Sequence, residues 1–234
     1  MDTTIDIVVA DGSFAAHVAR PQPGPVAGAP VVVVLQEIFG VNAGIRSIAH
    51  EMAAHGFIAV CPDLFWRHER GLSMHEGDPA HQEHGFALYR AYDFDQGVGD
   101  VAATIAAARA LDGASGRVGV MGYCLGGLLA FLTAASSAAD AAVAYYGGGT
   151  ERFLERACQV DTPLLMHLGE QDEYIDSAAQ AAIRAALADR PQVTIHGYPG
   201  QWHAFARPGG AHFDRAAADL ANSRTLAFLE THLR

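Results

Sequence analysis

Short runs of aliphatic and β-branched residues alternate along this chain with Ala-rich stretches that mix polar and apolar positions. This alternation predicts βα units that build a mostly parallel sheet. The run VVVVLQ at 31–36 is apolar at five consecutive positions, which suits a central strand buried on both faces. Further strands are predicted at 57–61, 117–122, 141–146, 163–169 and 192–198. Helices are predicted at 43–55, 94–111, from 125 onward, and at 150–158, 176–188 and 211–232.

The first two predicted strands form a different unit. Segments 5–10 and 14–20 flank Asp11-Gly12, a pair that readily adopts the positive φ angles of a tight turn, and they predict an antiparallel hairpin. A long polar segment from 62 to about 85 follows the strand at 57–61, and we expect it to form a lid. We expect residues 1–234 to form one α/β domain with three α/β/α layers, in which a mostly parallel sheet of about eight strands begins with the hairpin.

Composition narrows the range of partners. The chain has 26 acidic and 15 basic residues, a net charge of −11, and the scattered cations do not supply the Lys and Arg clusters that nucleic acid or an anionic membrane surface requires. No apolar run reaches the roughly 18 residues that span a bilayer. The first residues lack the basic and apolar regions of a signal peptide, and we therefore expect a cytoplasmic protein.

Cysteine and histidine residues are present, but their spacing is not that of a metal site. The three cysteines include no CxxC pair, so neither a disulfide framework nor a zinc site is predicted. His81 and His84 form a His-x-x-His pair, but no carboxylate or cysteine has matching spacing. We expect no metal and no cofactor.

The pentapeptide GYCLG at 122–126 has the G-x-nucleophile-x-G pattern of a sharp strand-to-helix turn, with cysteine in place of the usual serine. Glycines two residues away on either side let neighbouring backbone pass without a Cβ clash, and Gly127 extends that clearance. A thiolate at the start of a helix is stabilised by the helix dipole and by free N–H groups. Cys124 is therefore the predicted nucleophile, whereas Cys61 and Cys158 are expected to be unreactive structural thiols.

A nucleophile of this kind needs a base and an acid that orients the base, and in this architecture they follow in the order nucleophile, acid, histidine. Asp172 lies just past the end of a predicted strand. Its alternative role is a helix N-cap, although the neighbouring Asp176 is better placed for that cap. His203 lies in a loop after the last predicted strand, with a solvated loop histidine as the alternative. The oxyanion hole is expected to use the backbone N–H groups of Leu125 and Ile38.

Six motifs of this chain together resemble, in order, the dienelactone hydrolase (carboxymethylenebutenolidase) family of the α/β-hydrolase superfamily. They are QEIFG at 36–40, GVGD at 97–100, GYCLGG at 122–127, YYG at 145–147, GEQDEYI at 169–175 and GQWHAFAR at 200–207. The resemblance implies the α/β-hydrolase fold and a cofactor-free enzyme whose triad is Cys124, His203 and Asp172. It also implies a gate at Glu37, which keeps the thiol protonated at rest and moves when substrate binds, so that Cys124 becomes a thiolate paired with protonated His203.

The resemblance further implies two arginines that hold a carboxylate of the substrate. Arg207 matches one of them, with a surface ion pair as its alternative role, whereas the other position falls on Gln82. Glutamine can donate a hydrogen bond to a carboxylate but cannot form a charged bidentate pair, and Arg67, Arg70 or Arg90 are candidates to compensate. The other expected substrate contacts are Phe39, Tyr146 and Trp202.

We therefore expect a carboxylic ester hydrolase that opens the lactone ring of a small anionic dienelactone to a maleylacetate-type product through an acyl-thioester. We expect it to act as a monomer, with a dimer as the alternative. A broader carboxylesterase or lactonase is the second hypothesis, for which Gln82 is the reason. A non-catalytic binding protein or thiol redox sensor is the third, and Asp172 and His203 count against it because a sensor needs no acyl-transfer triad.

Overall fold

A computed structural model describes residues 3–22 and 28–234. The strands are β1 (Thr3–Val9), β2 (Gly12–Ala19), β3 (Ala29–Leu35), β4 (Ile58–Pro62), β5 (Ala114–Tyr123), β6 (Ala141–Tyr145), β7 (Leu164–Gly169) and β8 (Val193–Tyr198). They form an eight-stranded sheet in the order β1-β2-β4-β3-β5-β6-β7-β8. The β1–β2 and β2–β4 pairs are antiparallel and the other five are parallel. This confirms the predicted sheet and its N-terminal hairpin.

The turn of the hairpin lies one residue earlier than predicted. Val9 pairs with Gly12, so Ala10 and Asp11 occupy the turn rather than Asp11 and Gly12. This register places Ile7 opposite Phe14, and both side chains are buried in the core. A slip of one residue would turn the apolar side chains of one strand to the opposite face, so burial selects the observed register.

The helices are α1 (Ala43–Ala54), α2 (Pro79–Ala91), α3 (Phe94–Arg109), α4 (Leu125–Ser136), a 3-10 helix (Thr150–Gln159), α5 (Ser177–Ala186) and α6 (Arg215–Leu233). Five α-helices begin after a side chain that accepts a hydrogen bond from an N–H of the first turn, at Asn42, Asp78, Asp93, Asp176 and Asp214. The α4 helix is the exception, because the residue before it is Cys124 and its side chain makes no cap. None of the helices in the described part of the chain combines the length and the apolar character that a bilayer crossing requires.

Two apolar cores lie on opposite faces of the sheet, which gives the three predicted layers. Along β3, Val31, Val33 and Leu35 belong to one core, while Val32 and Val34 belong to the other. The first core also contains buried residues of α3, α4 and α5, and the second contains those of α1 and α6. Since both faces of β3 are covered, its continuous apolar run is explained.

The segment predicted as a polar lid is not uniform. Its first part contributes buried side chains to the core, among them Leu64, Phe65 and Trp66, and the α2 helix begins at Pro79, inside the segment, and continues beyond it. The helix was missed because only Gly85 and Leu88 are buried along it, so its apolar periodicity is weak. Asp78 as the cap and Pro79 at the first helical position were the available signals.

Candidate active site

Cys124 lies at the turn between β5 and α4, at the carboxyl edge of the parallel sheet. Its φ of 54° and ψ of −112° are strained for a residue with a side chain. Backbone hydrogen bonds hold the turn: the N–H of Cys124 donates to the Tyr145 carbonyl (3.1 Å), and the N–H of Gly126 donates to the Gln36 carbonyl (3.0 Å). The strain is therefore maintained by the two strands that flank β5.

The glycines around Cys124 are required by close backbone approach. A Cβ on Gly122 would lie 2.1 Å from the Gly126 carbonyl oxygen, and a Cβ on Gly126 would lie 2.5 Å from the Leu35 carbonyl oxygen. On Gly127 it would lie 2.4 Å from the Tyr145 carbonyl oxygen. Real Cβ atoms essentially never approach backbone below 3.0 Å. The pattern that predicted the turn thus has a direct steric cause.

His203 and Asp172 meet behind the same edge of the sheet. The Nδ1 atom of His203 lies 2.9 Å from Oδ2 of Asp172, and both side chains are almost fully buried. The other oxygen of Asp172, Oδ1, accepts hydrogen bonds from the N–H groups of Tyr174 (2.8 Å) and Ile175 (3.1 Å). Asp176, not Asp172, caps α5. The carboxylate therefore has its orientation fixed by the backbone and faces the imidazole.

Charge stabilises a protonated imidazole at His203. Burial by itself would lower its pKa, but the neighbouring Cys124 as a thiolate and the hydrogen bond with Asp172 outweigh burial and raise the pKa to about 10. The Nε2 atom is buried and has no hydrogen-bond partner among the described residues. His203 therefore has one nitrogen fixed by Asp172 and the other available for proton transfer.

The loop after β3 also contributes to the site. Ile38 and Phe39 line the cavity in front of the nucleophile, and Leu125 is the first residue of α4. Because Gln36 accepts the hydrogen bond from Gly126, this loop is fixed to the start of α4. The two backbone segments expected to supply oxyanion donors are thus adjacent, and the role of their N–H groups remains a prediction.

Glu37 and Arg207 form a bidentate ion pair. Nε of Arg207 lies 2.7 Å from Oε2 of Glu37 and Nη2 lies 2.8 Å from Oε1. Burial would lower the pKa of Arg207, but the Glu37 carboxylate raises it. Both partners are largely buried, so the pair is weakly screened. Arg207 is therefore engaged with Glu37 rather than free, although it still reaches the cavity.

A cavity of about 440 Å³ opens in front of Cys124. Of the predicted site residues, Cys124, His203, Ile38, Phe39, Gln82 and Arg207 line it. Tyr146 and Trp202 do not: Tyr146 is completely buried with its ring 5.1 Å from that of His203, and Trp202 is 47% exposed and lies against His212. The structure thus places neither aromatic where a substrate contact was expected.

Tyr146 lies near the Glu37–Arg207 pair and close enough to Cys124 to sense its charge. Its φ of 38° is positive, and its buried hydroxyl has no hydrogen-bond partner among residues 3–22 and 28–234. Burial raises its pKa well above the usual value, and the negative charges of Glu37 and Cys124 act in the same direction. The charges of Glu37 and Cys124 therefore act on the same hydroxyl, and the gate at Glu37 stays a prediction.

Sequence reasoning missed one wall of the cavity. Beside the predicted Gln82, the α2 helix contributes Phe86 and Tyr89 at helical spacing, and the 3-10 helix after β6 contributes Arg152. The signal for Arg152 was its position beyond the carboxyl end of a parallel strand, where sites form in such sheets. The arginines suggested as substitutes lie elsewhere: Arg67 pairs with Asp11 and Asp100, Arg70 binds the Ser13 carbonyl, and Arg90 is absent from the cavity wall.

The His-x-x-His pair in the segment predicted as a lid, His81 and His84, makes contacts with neighbouring protein groups. His81 Nδ1 accepts a hydrogen bond from the N–H of His75 (3.1 Å), and His84 Nε2 lies 3.0 Å from Glu69. Within residues 3–22 and 28–234, no group of three or more His, Cys, Asp or Glu side chains has an arrangement that could hold a metal ion.

Comparisons with known proteins cover nearly the whole chain. The dienelactone hydrolase family model matches residues 14–233. A carboxymethylenebutenolidase of Pseudomonas putida is 41% identical over 226 residues, which are 96% of this chain and 94% of that protein. A protein of Azospirillum brasilense, provisionally named a carboxymethylenebutenolidase, is 44% identical over 224 residues, 95% of each chain.

Solved structures agree on the fold. A crystal structure from Klebsiella pneumoniae, provisionally described as a dienelactone hydrolase, superposes with a TM-score of 0.86 at 27% identity and covers 98% of both chains. The sheet order, the turn at the carboxyl edge of β5 and the match along residues 14–233 lead to one assignment. The chain belongs to the dienelactone hydrolase family of carboxylic ester hydrolases, which has the α/β-hydrolase fold.

Proposed function

We propose that this protein opens the lactone ring of an anionic dienelactone (carboxymethylenebutenolide) to a maleylacetate-type product, with Cys124 as nucleophile, His203 as proton carrier and Asp172 as the group that orients His203. The observation that carries the proposal is the contact between His203 and Asp172, 2.9 Å long, in the wall of the cavity that contains Cys124. The name of the Pseudomonas putida relative supports the substrate.

The first half of the reaction forms a thioester. The Cys124 thiolate attacks the lactone carbonyl carbon, the carbonyl electrons move to oxygen, and their return breaks the ring C–O bond. The departing enolate oxygen takes a proton from Nε2 of His203, and the enol rearranges to the ketone. Asp172 keeps the Nδ1 proton in place throughout, so that Nε2 carries the transferable proton.

The second half releases the product. Water attacks the thioester carbonyl while Nε2 of His203 accepts its proton, and the C–S bond breaks to restore the thiolate and a carboxylic acid. The N–H groups of Leu125 and Ile38 are suited to stabilise the oxyanion in both halves, at about 3 kcal/mol for each donor. One water is consumed, and the enzyme returns to its starting state.

The pair between Glu37 and Arg207 supports gating of the thiol by substrate. A carboxylate near Cys124 disfavours a second negative charge at the sulfur and so opposes formation of the thiolate. A substrate carboxylate that binds Arg207 competes for the guanidinium that Glu37 occupies at 2.7 and 2.8 Å. Displaced Glu37 then no longer opposes ionisation of Cys124, and activation is linked to an anionic ligand.

A broader esterase or lactonase is the second candidate, and a specific observation favours it. Gln82 stands in the cavity wall, where it donates a hydrogen bond to the Glu76 carbonyl (2.8 Å) rather than offering a charge. With Arg207 held by Glu37, neither of these two positions presents a free cation. A neutral ester would bind such a cavity without losing any charged contact.

Turnover of purified protein on dienelactone and on neutral p-nitrophenyl esters distinguishes the two candidates. The proposal predicts efficient ring opening, monitored by loss of the dienelactone absorbance, and a Cys124-linked acyl adduct after rapid acid quench and mass spectrometry. The variant Cys124→Ala should lose both signals, and Cys158→Ala, which changes an exposed thiol, should keep them. Efficient cleavage of neutral esters without dienelactone turnover would replace the first candidate with the second.

A further inference from the structure

The cavity is lined by a second guanidinium besides that of Arg207, and it lies outside the site residues predicted from the sequence. Arg152 begins the 3-10 helix after β6 with Thr150 and Glu151, and it lines the same cavity as Cys124. It forms no ion pair with a carboxylate among the described residues. The charge of Arg152 is therefore available to a ligand.

The surroundings of Arg152 position its side chain. The guanidinium lies 5.7 Å from the ring of Tyr89, 5.6 Å from that of Phe94 and 5.7 Å from that of Phe153. One of its N–H groups donates to the Tyr89 hydroxyl (3.2 Å). Because three rings and a hydrogen bond restrict the side chain, less conformational entropy is lost when an anion binds.

Two glycines, Gly148 and Gly149, form the backbone next to Arg152. A Cβ on Gly149, whose φ is 92°, would lie 3.2 Å from Nε and Nη2 of Arg152 and 2.6 Å from the Tyr89 hydroxyl. The Tyr89 hydroxyl itself donates to the Gly148 carbonyl (3.0 Å). The absence of a side chain at Gly149 thus lets the guanidinium lie close to the backbone, and Tyr89 of α2 accepts its hydrogen bond.

Two carboxylates, those of Glu151 and Glu173, also line the cavity, and their negative charge opposes the binding of an anion. Glu173 is engaged with the N–H of His203 (3.3 Å), whereas Glu151 has a buried oxygen without a partner among the described residues. At the Tyr89 hydroxyl, burial raises the pKa most, and Arg152 has the next largest effect, ahead of Cys124 and Glu151. Among the charged groups, Arg152 therefore acts most strongly on the Tyr89 hydroxyl.

We propose that Arg152, held by Tyr89, is the second cationic contact for the substrate carboxylate and replaces the charge that Gln82 lacks. The inference rests on the proposed function, because it assumes that the ligand is anionic. It assigns specificity to the wall formed by α2 and the 3-10 helix, whereas Arg207 reaches the cavity from the loop after β8. Arg152 is a binding residue here and takes no part in bond making.

The test compares dienelactone with its neutral methyl ester in wild type, Arg152→Gln and Arg156→Gln. Arg156 is the matched control, since it lies on the same 3-10 helix but pairs with Asp95 (3.1 Å) outside the cavity. Because Arg152 is exposed, its contact with a carboxylate is partly screened. We expect Arg152→Gln to lower the kcat/KM ratio of acid to ester by about 3- to 10-fold, mainly through KM, with less effect at 0.5 M than at 0.05 M salt.

Several results would overturn the inference. An unchanged ratio in Arg152→Gln, or an equal loss on both substrates, would mean that Arg152 does not recognise the carboxylate. An equal shift in Arg156→Gln would mean that only net charge matters. Recovery of the ratio in the double variant Arg152→Gln/Gln82→Arg would support it, because the charge then returns at another position of the same wall.

A binding measurement separates this inference from the proposed function. Calorimetric titration of Cys124→Ala with 2-furylacetate and with its neutral amide needs no turnover. The inference predicts that Arg152→Gln in this background weakens the anion by about 3- to 10-fold relative to the amide. If wild type hydrolyses no lactone but this preference for the anion depends on Arg152, the proposed function fails and the anion site stands. If turnover is normal and the preference does not depend on Arg152, the proposed function stands and the anion site fails.

Discussion

Replacing Asp172 with asparagine removes one negative charge and one acceptor with almost no change in shape. The Asp172 carboxylate accepts from His203 Nδ1 (2.9 Å) with one oxygen and from two backbone N–H groups, those of Tyr174 (2.8 Å) and Ile175 (3.1 Å), with the other. An amide has a single acceptor oxygen, so it cannot serve both sides. The orientation it adopts determines the effect on the imidazole.

The buried backbone donors determine that orientation. If the amide nitrogen faced the N–H groups of Tyr174 and Ile175, two buried donors would lose their acceptor, at about 1–3 kcal/mol each. If it faces His203, one contact changes, and the imidazole must accept at Nδ1 and carry its proton on Nε2. The second arrangement is the less costly one. With Nε2 already protonated, His203 cannot take a proton from Cys124 or water, and kcat should fall about 10³- to 10⁴-fold.

The assay is steady-state hydrolysis at pH 7 together with thermal unfolding. The matched control is Asp176→Asn in the same loop, because asparagine caps a helix about as well as aspartate and Asp176 caps α5. We expect Asp176→Asn to retain activity within about twofold. A folded Asp172→Asn enzyme that keeps a tenth of wild-type kcat would refute the reasoning, since Asp172 would then not set the protonation of His203.

Three further substitutions test the turn, the imidazole and the gate. Gly126→Ala should destabilise the protein by about 1–3 kcal/mol in urea unfolding, because its Cβ would lie 2.5 and 2.7 Å from two carbonyl oxygens. The control Gly99→Ala adds a Cβ with nothing within 4 Å and should stabilise the protein through α3 by about 0.5–1 kcal/mol. Equal effects of the two substitutions would contradict the steric account. Cys124→Ala should lower the pKa of His203 relative to wild type in an NMR titration, because the negative charge that favours the protonated ring is gone. An unchanged pKa would argue against a charge interaction between the two side chains. Glu37→Gln should speed alkylation of Cys124 by iodoacetamide, because a negative charge that opposes the thiolate is removed. The rate is measured by peptide mass spectrometry, and a slower or equal rate would rule out gating by Glu37.

Much of the fold and part of the site follow from local sequence. The GYCLG turn at 122–126 is specified by residues within two positions of Cys124, because steric exclusion of a Cβ acts over that range. Burial on both faces explains why the run at 31–36 was identified as a central strand. Asp172 and His203 were selected by their positions after strand ends, where parallel strands bring separate loops together.

Tertiary structure decided the features that depend on contacts between distant residues. Glu37 and Arg207 are 170 positions apart, and only the packed sheet shows that they bind each other. Tyr146 follows β6 and was expected to touch substrate, but its side chain is turned under His203 into the core. Arg152 follows a strand end, which the sequence shows, but its contact with Tyr89 depends on the packing of α2 against Gly148, which no local pattern predicts. Short-range sterics and periodicity thus determined the nucleophile turn and the sheet, whereas the charges around the nucleophile were set by long-range packing.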